Sequence, residues 1–164
     1  MTEKYACVVR ALTAMPRKPE RDRAESMIDA TTAPYAVLLL RLCLGAMFIA
    51  HALLKWRVFT IPGTIKFFQS LGLPGWFAYA TISAELGGAA CLILGVMPRI
   101  VALLLLPLML GTIVTVHGKK GWLFSNPDGG WEYPAFWAAA LLALFLLGDG
   151  AATLLPSTVL THWF

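Results

Sequence analysis

Trp76-Phe-Ala-Tyr-Ala-Thr-Ile-Ser-Ala-Glu85-Leu-Gly-Gly-Ala-Ala-Cys-Leu-Ile-Leu-Gly-Val-Met97 decides the fold. A bilayer crossing takes about 20 predominantly apolar residues, and this run supplies them. It shows no two-residue alternation, and backbone groups in lipid must bond within their own segment, so it reads as a helix. Glu85 lies in its middle. An ionisable group at that depth costs about 2.5–3.5 kcal/mol on insertion scales. Such a charge calls for a partner or a use, and a second apolar run, Pro34 to Leu54, carries Arg41.

The rest of the chain supports a membrane reading. Of its 164 residues 59% are hydrophobic and 13% charged. Mean hydropathy is +0.72. A soluble domain is nearer 45–50% apolar and about 25% charged. The apolar residues gather in the segments Pro34–Leu54, Trp76–Met97, Arg99–His117 and Trp131–Gly148. These predict an all-α membrane protein, a four-transmembrane-helix bundle running up-down-up-down. Met97-Pro98-Arg99 is so short a connection that the second and third helices must form an antiparallel hairpin. Gly45, Gly87, Gly88 and Gly95 offer surfaces for close helix approach.

Three regions follow along the chain. Residues 1–33 are a polar tail of mixed charge that buries no core and is expected to be disordered. Met27 is a candidate initiator, which would make residues 1–26 an artefact of the start site. The membrane domain covers 34–155, and 156–164 form a short C-terminal tail. Ala50-His51-Ala52 mimics a signal-peptidase site, but Arg41 interrupts the apolar region ahead of it, so cleavage is not expected. In the first connection Ile65, Phe68 and Leu71 recur at helical spacing and predict a short amphipathic helix on the bilayer surface. It ends at Gly72-Leu73-Pro74-Gly75.

Net charge is +4. In this setting it means juxtamembrane Lys and Arg against anionic headgroups; no nucleic-acid-binding pattern is present. Basic residues flank both sides of the spans in equal number near the membrane, so they do not fix orientation. Cys7, Cys43 and Cys91 form no metal-spaced set and no C-x-x-C. There is no P-loop, no G-x-G-x-x-G and no nucleophile–His–acid arrangement.

Two groups of polar residues stand out. Counting at about 1.5 Å per residue puts Arg41 and Glu85 within 10 Å of each other in depth, which predicts a buried pair between the first two spans. His51, Lys55, His117 and Glu132 all fall at the membrane face bearing the two longer connections, and form a candidate ligand mouth. Histidine exchanges protons near neutral pH. The spacing matches no H-E-x-x-H or Glu-x-x-His pattern, so no metal is expected. Trp56, Trp76, Trp122 and Trp131 lie at the same face, as an interfacial belt or an aromatic lid.

The ordered series Arg41-x3-Gly45-x2-Phe48-x2-His51-x3-Lys55, Phe68-Gln-Ser-Leu71-Gly72-Leu73-Pro74, Glu85-Leu-Gly-Gly88, Arg99, His117 and Gly130-Trp-Glu132 resembles the DoxX family. These are small four-helix bacterial membrane proteins, and the likeness covers residues 34 to about 151. The resemblance implies a multi-pass protein of the bacterial inner (plasma) membrane. It also implies a loose link to redox chemistry; the reading that follows is an accessory subunit of a quinone-linked or thiol/sulfur redox system, not catalytic alone, with a soluble or membrane oxidoreductase as partner, no cofactor identified and quinone the candidate. The alternatives are a small transporter or proton conductor using Glu85, and a structural scaffold. The family often has His-Gly where this chain has His51-Ala52. It often ends on Gly-x-Gly-x-x-Ser-Leu-Asp, where this chain has Gly148-Asp149-Gly150-Ala151-Ala152-Thr153-Leu154-Leu155; Asp149 is the nearby carboxylate.

Overall fold

The computed structural model describes residues 29–127 and 129–161. The tail 1–26 and its start-site question lie outside them. Two units divide between Ala33 and Pro34. The described end of the first is a turn in which Thr32 and Ala33 donate to the Asp29 carbonyl. The Thr31 hydroxyl and N–H both donate to the Asp29 carboxylate. These bonds hold that carboxyl below its ordinary pKa.

From Pro34 on, the described chain is helical. Helix α1 (Ala33–Leu53) runs into a π-helical turn, Leu54–Val58. Then come α2 (Ile61–Ser70), α3 (Phe77–Leu94) and α4 (Pro98–Thr112), which continues as a second π turn, Ile113–His117. Helices α5 (Glu132–Leu147) and α6 (Thr158–Thr161) complete the order. No strand occurs among the described residues. A single β-bridge joins Val96 to Leu155.

Three of these helices are long and apolar enough to cross a membrane: Ala33–Val58, Phe77–Leu94 and Pro98–His117. The fourth apolar segment forms α5, which has 16 residues. At 1.5 Å per residue that is about 24 Å, short of a hydrocarbon core of about 30 Å. Its buried face is nevertheless long: Trp137, Ala138, Leu141 and Leu144 join Val37, Leu44 and Phe48 of α1, Ala89 and Leu92 of α3, and Ala102, Leu105 and Met109 of α4 in one core. Helices α4 and α5 make the most extensive pairing.

The small residues divide in role. Gly45 of α1 lies against Ala89 and Ile93 of α3, and Gly88 against Leu105 of α4. Gly87 faces no neighbour, so it does not bring helices together as its sequence position suggested. The expected helix in the first connection is α2, with Ile65 and Phe68 half-buried and the Phe68 ring 6.2 Å from Phe77.

The α3–α4 hairpin turns at Gly95, whose φ of +74° is the left-handed conformation that ends many helices. A side chain there would also meet the Arg41 guanidinium and the backbone of Ala152 and Thr153. Met97 adds a second left-handed residue, and Pro98 opens α4 at its first position, where no N–H is needed. The segment after α5 folds back on this turn: Met97 N–H donates to Leu155 O at 2.7 Å and Leu155 N–H to Gly95 O at 3.0 Å.

Candidate functional site

Arg41 is fully buried, but its partner is not Glu85. Its Nε donates to Leu92 O at 2.9 Å, and Nη1 donates to Asp149 O at 2.8 Å and Ala151 O at 2.9 Å. Longer contacts reach Thr153 Oγ1, Ile93 O and Ala152 O. Leu92 and Ile93 belong to the last turn of α3, where carbonyls lack intrahelical partners and the helix dipole favours a cation. Arg41 therefore caps α3 and fastens the 149–153 segment to it. Arg99 repeats the device: its Nε donates at 3.0 Å to Phe145 O, in the last turn of α5. Asp149 holds this end together from the other side, accepting from Ser157 N at 2.8 Å, Ser157 Oγ at 2.5 Å and Arg99 N at 3.4 Å.

Glu85 is 3% exposed and lies midway along α3. Its Oε1 accepts from Lys55 Nζ at 2.5 Å, and Oε2 has no hydrogen-bond partner. The predicted Arg41–Glu85 pair is thus replaced by Lys55–Glu85. The physical reason is axial distance: Arg41 is bonded at Leu92 and Ile93, seven and eight residues beyond Glu85, or about 10–12 Å along α3. The helix-end carbonyls were nearer acceptors than the carboxylate.

Lys55 sits in the π turn that ends α1, and π turns recur at functional sites. Its own carbonyl accepts from Thr64 Oγ1 at 3.0 Å, which ties α2 beneath the turn. Thr64 is 3% exposed. One turn earlier, His51 Nδ1–H donates to Met47 O at 3.0 Å. The His51 ring lies edge-on to Trp137 with centroids 4.8 Å apart, and stacks on Tyr133 at 6.2 Å. Phe48 packs on the same Trp137 at 4.6 Å. Trp137 is 2% exposed, and its Nε1–H, like Glu85 Oε2, has no partner.

The mouth expected from sequence divides in two. His51, Lys55 and Glu85 belong to the inner group with Trp137. His117 and Glu132 are held by the backbone of the connection between α4 and α5. His117 Nδ1–H donates to Gly129 O at 3.1 Å. Glu132 Oε1 accepts from Phe124 N at 2.9 Å. Among the described residues no three His, Cys, Asp or Glu side chains are placed to hold a metal ion. Trp122 and Trp131 meet edge-to-face at 4.3 Å in that connection, while Trp56 and Trp76 stand exposed. An open, largely apolar groove of about 540 Å³, lined by Trp122, Phe124, Tyr133 and Phe136, runs along the exposed side of α5, apart from the Lys55–Glu85 pair.

Residues 36–118 match the DoxX family model, which is half of the chain. The chain belongs to the DoxX family. The match includes Arg41, His51, Lys55, Glu85 and His117 and stops short of Glu132, Trp137 and Asp149. A curated relative from Bacillus subtilis (strain 168), named "Putative oxidoreductase CatD", is 40% identical over 82 residues. The aligned stretch is 50% of this chain and 60% of that relative's length. No solved structure matches this DoxX protein. Its helices of spanning length and its family make it a multi-pass membrane protein.

Proposed function

We propose that this chain is a four-span, up-down-up-down protein of the bacterial inner membrane. In this reading it is an accessory subunit of a quinone-linked or thiol/sulfur redox system. The family and the printed name of the Bacillus relative support the redox setting. Helix α5 is read as the fourth span because its buried face belongs to the same core as the other three. Its short length is extended by Trp131 at one end and Gly148 at the other.

The observation that carries the site is Glu85: buried, bonded through one oxygen to Lys55, and with the second oxygen unpartnered. An intramembrane carboxylate is by default a functional group, named together with its partner. Here Oε1 stays on Lys55 while Oε2 accepts and releases a proton. Quinone is the substrate of the wider system and supplies two-electron, two-proton chemistry. This chain contributes the carboxylate that handles protons and the lysine that keeps it anchored. Catalysis of electron transfer lies with an oxidoreductase partner.

The test is quinone-dependent thiol or thiosulfate oxidation in membranes from cells lacking the chain, restored with wild type or Glu85→Gln. Wild type should restore the rate, and an inserted, folded Glu85→Gln protein should restore less than about a tenth of it, within the range of general acid–base effects. Full oxidation rates in membranes without the chain refute the redox role. The unpartnered Oε2 also suits a proton conductor. That second reading requires Glu85-dependent proton flux in vesicles holding the purified chain alone.

A further inference from the structure

The two unpartnered atoms are complementary. Glu85 Oε2 is an acceptor and Trp137 Nε1–H is a donor only. Each residue is more than nine-tenths buried. A buried polar group without a partner is costly. One buried acceptor and one buried donor without partners, among the described residues, are a specific pair.

Both residues flank the same turns of α1. Trp137 of α5 lies against Phe48 and His51. Glu85 of α3 is bonded to Lys55 Nζ. Phe48 and His51, three residues apart, share a face of α1, and Lys55 follows His51 in the π turn. The Glu85 carboxylate also lies within electrostatic reach of His51, whose ring is 4.8 Å from Trp137.

We infer that Glu85 and Trp137 form a binding site for a single hydroxyl group. The guest's O–H donates to Glu85 Oε2, and its oxygen accepts from Trp137 Nε1–H. One such group satisfies both orphaned atoms, which neither an apolar guest nor a cation does. Water is the smallest molecule of this class; a small hydroxylated organic molecule is the other source. The inference stands on the two atoms' chemistry and placement, and holds whether or not the chain serves a redox system.

The experiment uses the full chain in lipid nanodiscs with 15N-labelled tryptophan. Of the six indole N–H signals, Trp137→Phe removes one and so assigns it. With water as the probe, the Trp137 indole proton should show a through-space contact to a long-lived water, or to a bound organic molecule. Native mass spectrometry separates the two sources: an added mass identifies the organic guest, and its absence identifies water. In Glu85→Gln the Trp137 signal should shift more than the other five. A Trp137 indole with no contact to water or guest overturns the inference. So does a Glu85-dependent shift without that contact, which would mean a direct Trp137–Glu85 bond. The contact is measured on the unmodified chain and so does not depend on the variant inserting.

Discussion

Removing Arg41 tests whether the two buried charges act together or apart. Arg41→Met keeps the length and loses the guanidinium. Three short hydrogen bonds go with it, to Leu92 O, Asp149 O and Ala151 O at 2.8–2.9 Å. Hydrogen bonds to a charged group contribute about 1.5–3 kcal/mol each, so the gross loss is about 5–9 kcal/mol. Relief from burying a charge offsets several kcal/mol of that. The net expectation is a destabilisation of about 3–5 kcal/mol, the size seen when one partner of a buried charged contact is removed. The assay is reversible unfolding in mixed micelles of SDS and a mild detergent, followed by helical circular dichroism. Glu85 is about 10 Å away along α3, and sites that far apart add to within about 0.5 kcal/mol. Arg41→Met combined with Glu85→Leu should therefore lose the sum of the two single effects. Recovery of more than about 1 kcal/mol in the double variant would show coupling, and would refute the assignment of Arg41 to the helix-end carbonyls.

The opposite result is expected for Lys55 and Glu85. Lys55→Met and Glu85→Leu should each destabilise by about 3–5 kcal/mol, and the double variant should recover most of that in the same assay, because no charge is left unpaired. Asp149→Asn weakens the acceptor for Ser157, at a cost of about 1–2 kcal/mol, and should speed amide exchange at Ser157 on the order of tenfold. An unchanged exchange rate would show that the C-terminal segment is held by its backbone contacts alone. Gly95→Ala places a side chain at φ +74°, which costs about 1–2 kcal/mol before the contact with Arg41 is counted. Thermal stability of that variant equal to wild type would contradict the described turn.

The spans were legible because burial in lipid writes itself as long apolar runs, and α1, α3 and α4 fall where those runs predict. The amphipathic helix α2 was legible from Ile65, Phe68 and Leu71 for the same reason. Pairing was not. A sequence displays side-chain charges and hides backbone acceptors, so Arg41 invited a match with Glu85, the nearest opposite charge by count. In a bundle the C-terminal turn of each helix holds carbonyls without partners, and a guanidinium with five donors can satisfy several at once. Arg41 does so at α3, and Arg99 bonds the last turn of α5. Lys55 was read at the membrane face, and its reach to Glu85 was obscured by the π turn, which breaks the 3.6-residue count that assigns faces. Trp137 carried no signal, because a tryptophan inside an apolar run reads as packing. Its importance comes only from a buried N–H left without a partner. The division of labour follows from the donors. Arginine, with a planar fork of five, goes to a cluster of carbonyls and becomes structural. Lysine, a compact charge on a flexible stem, goes to one oxygen of one carboxylate and leaves the other oxygen without a partner.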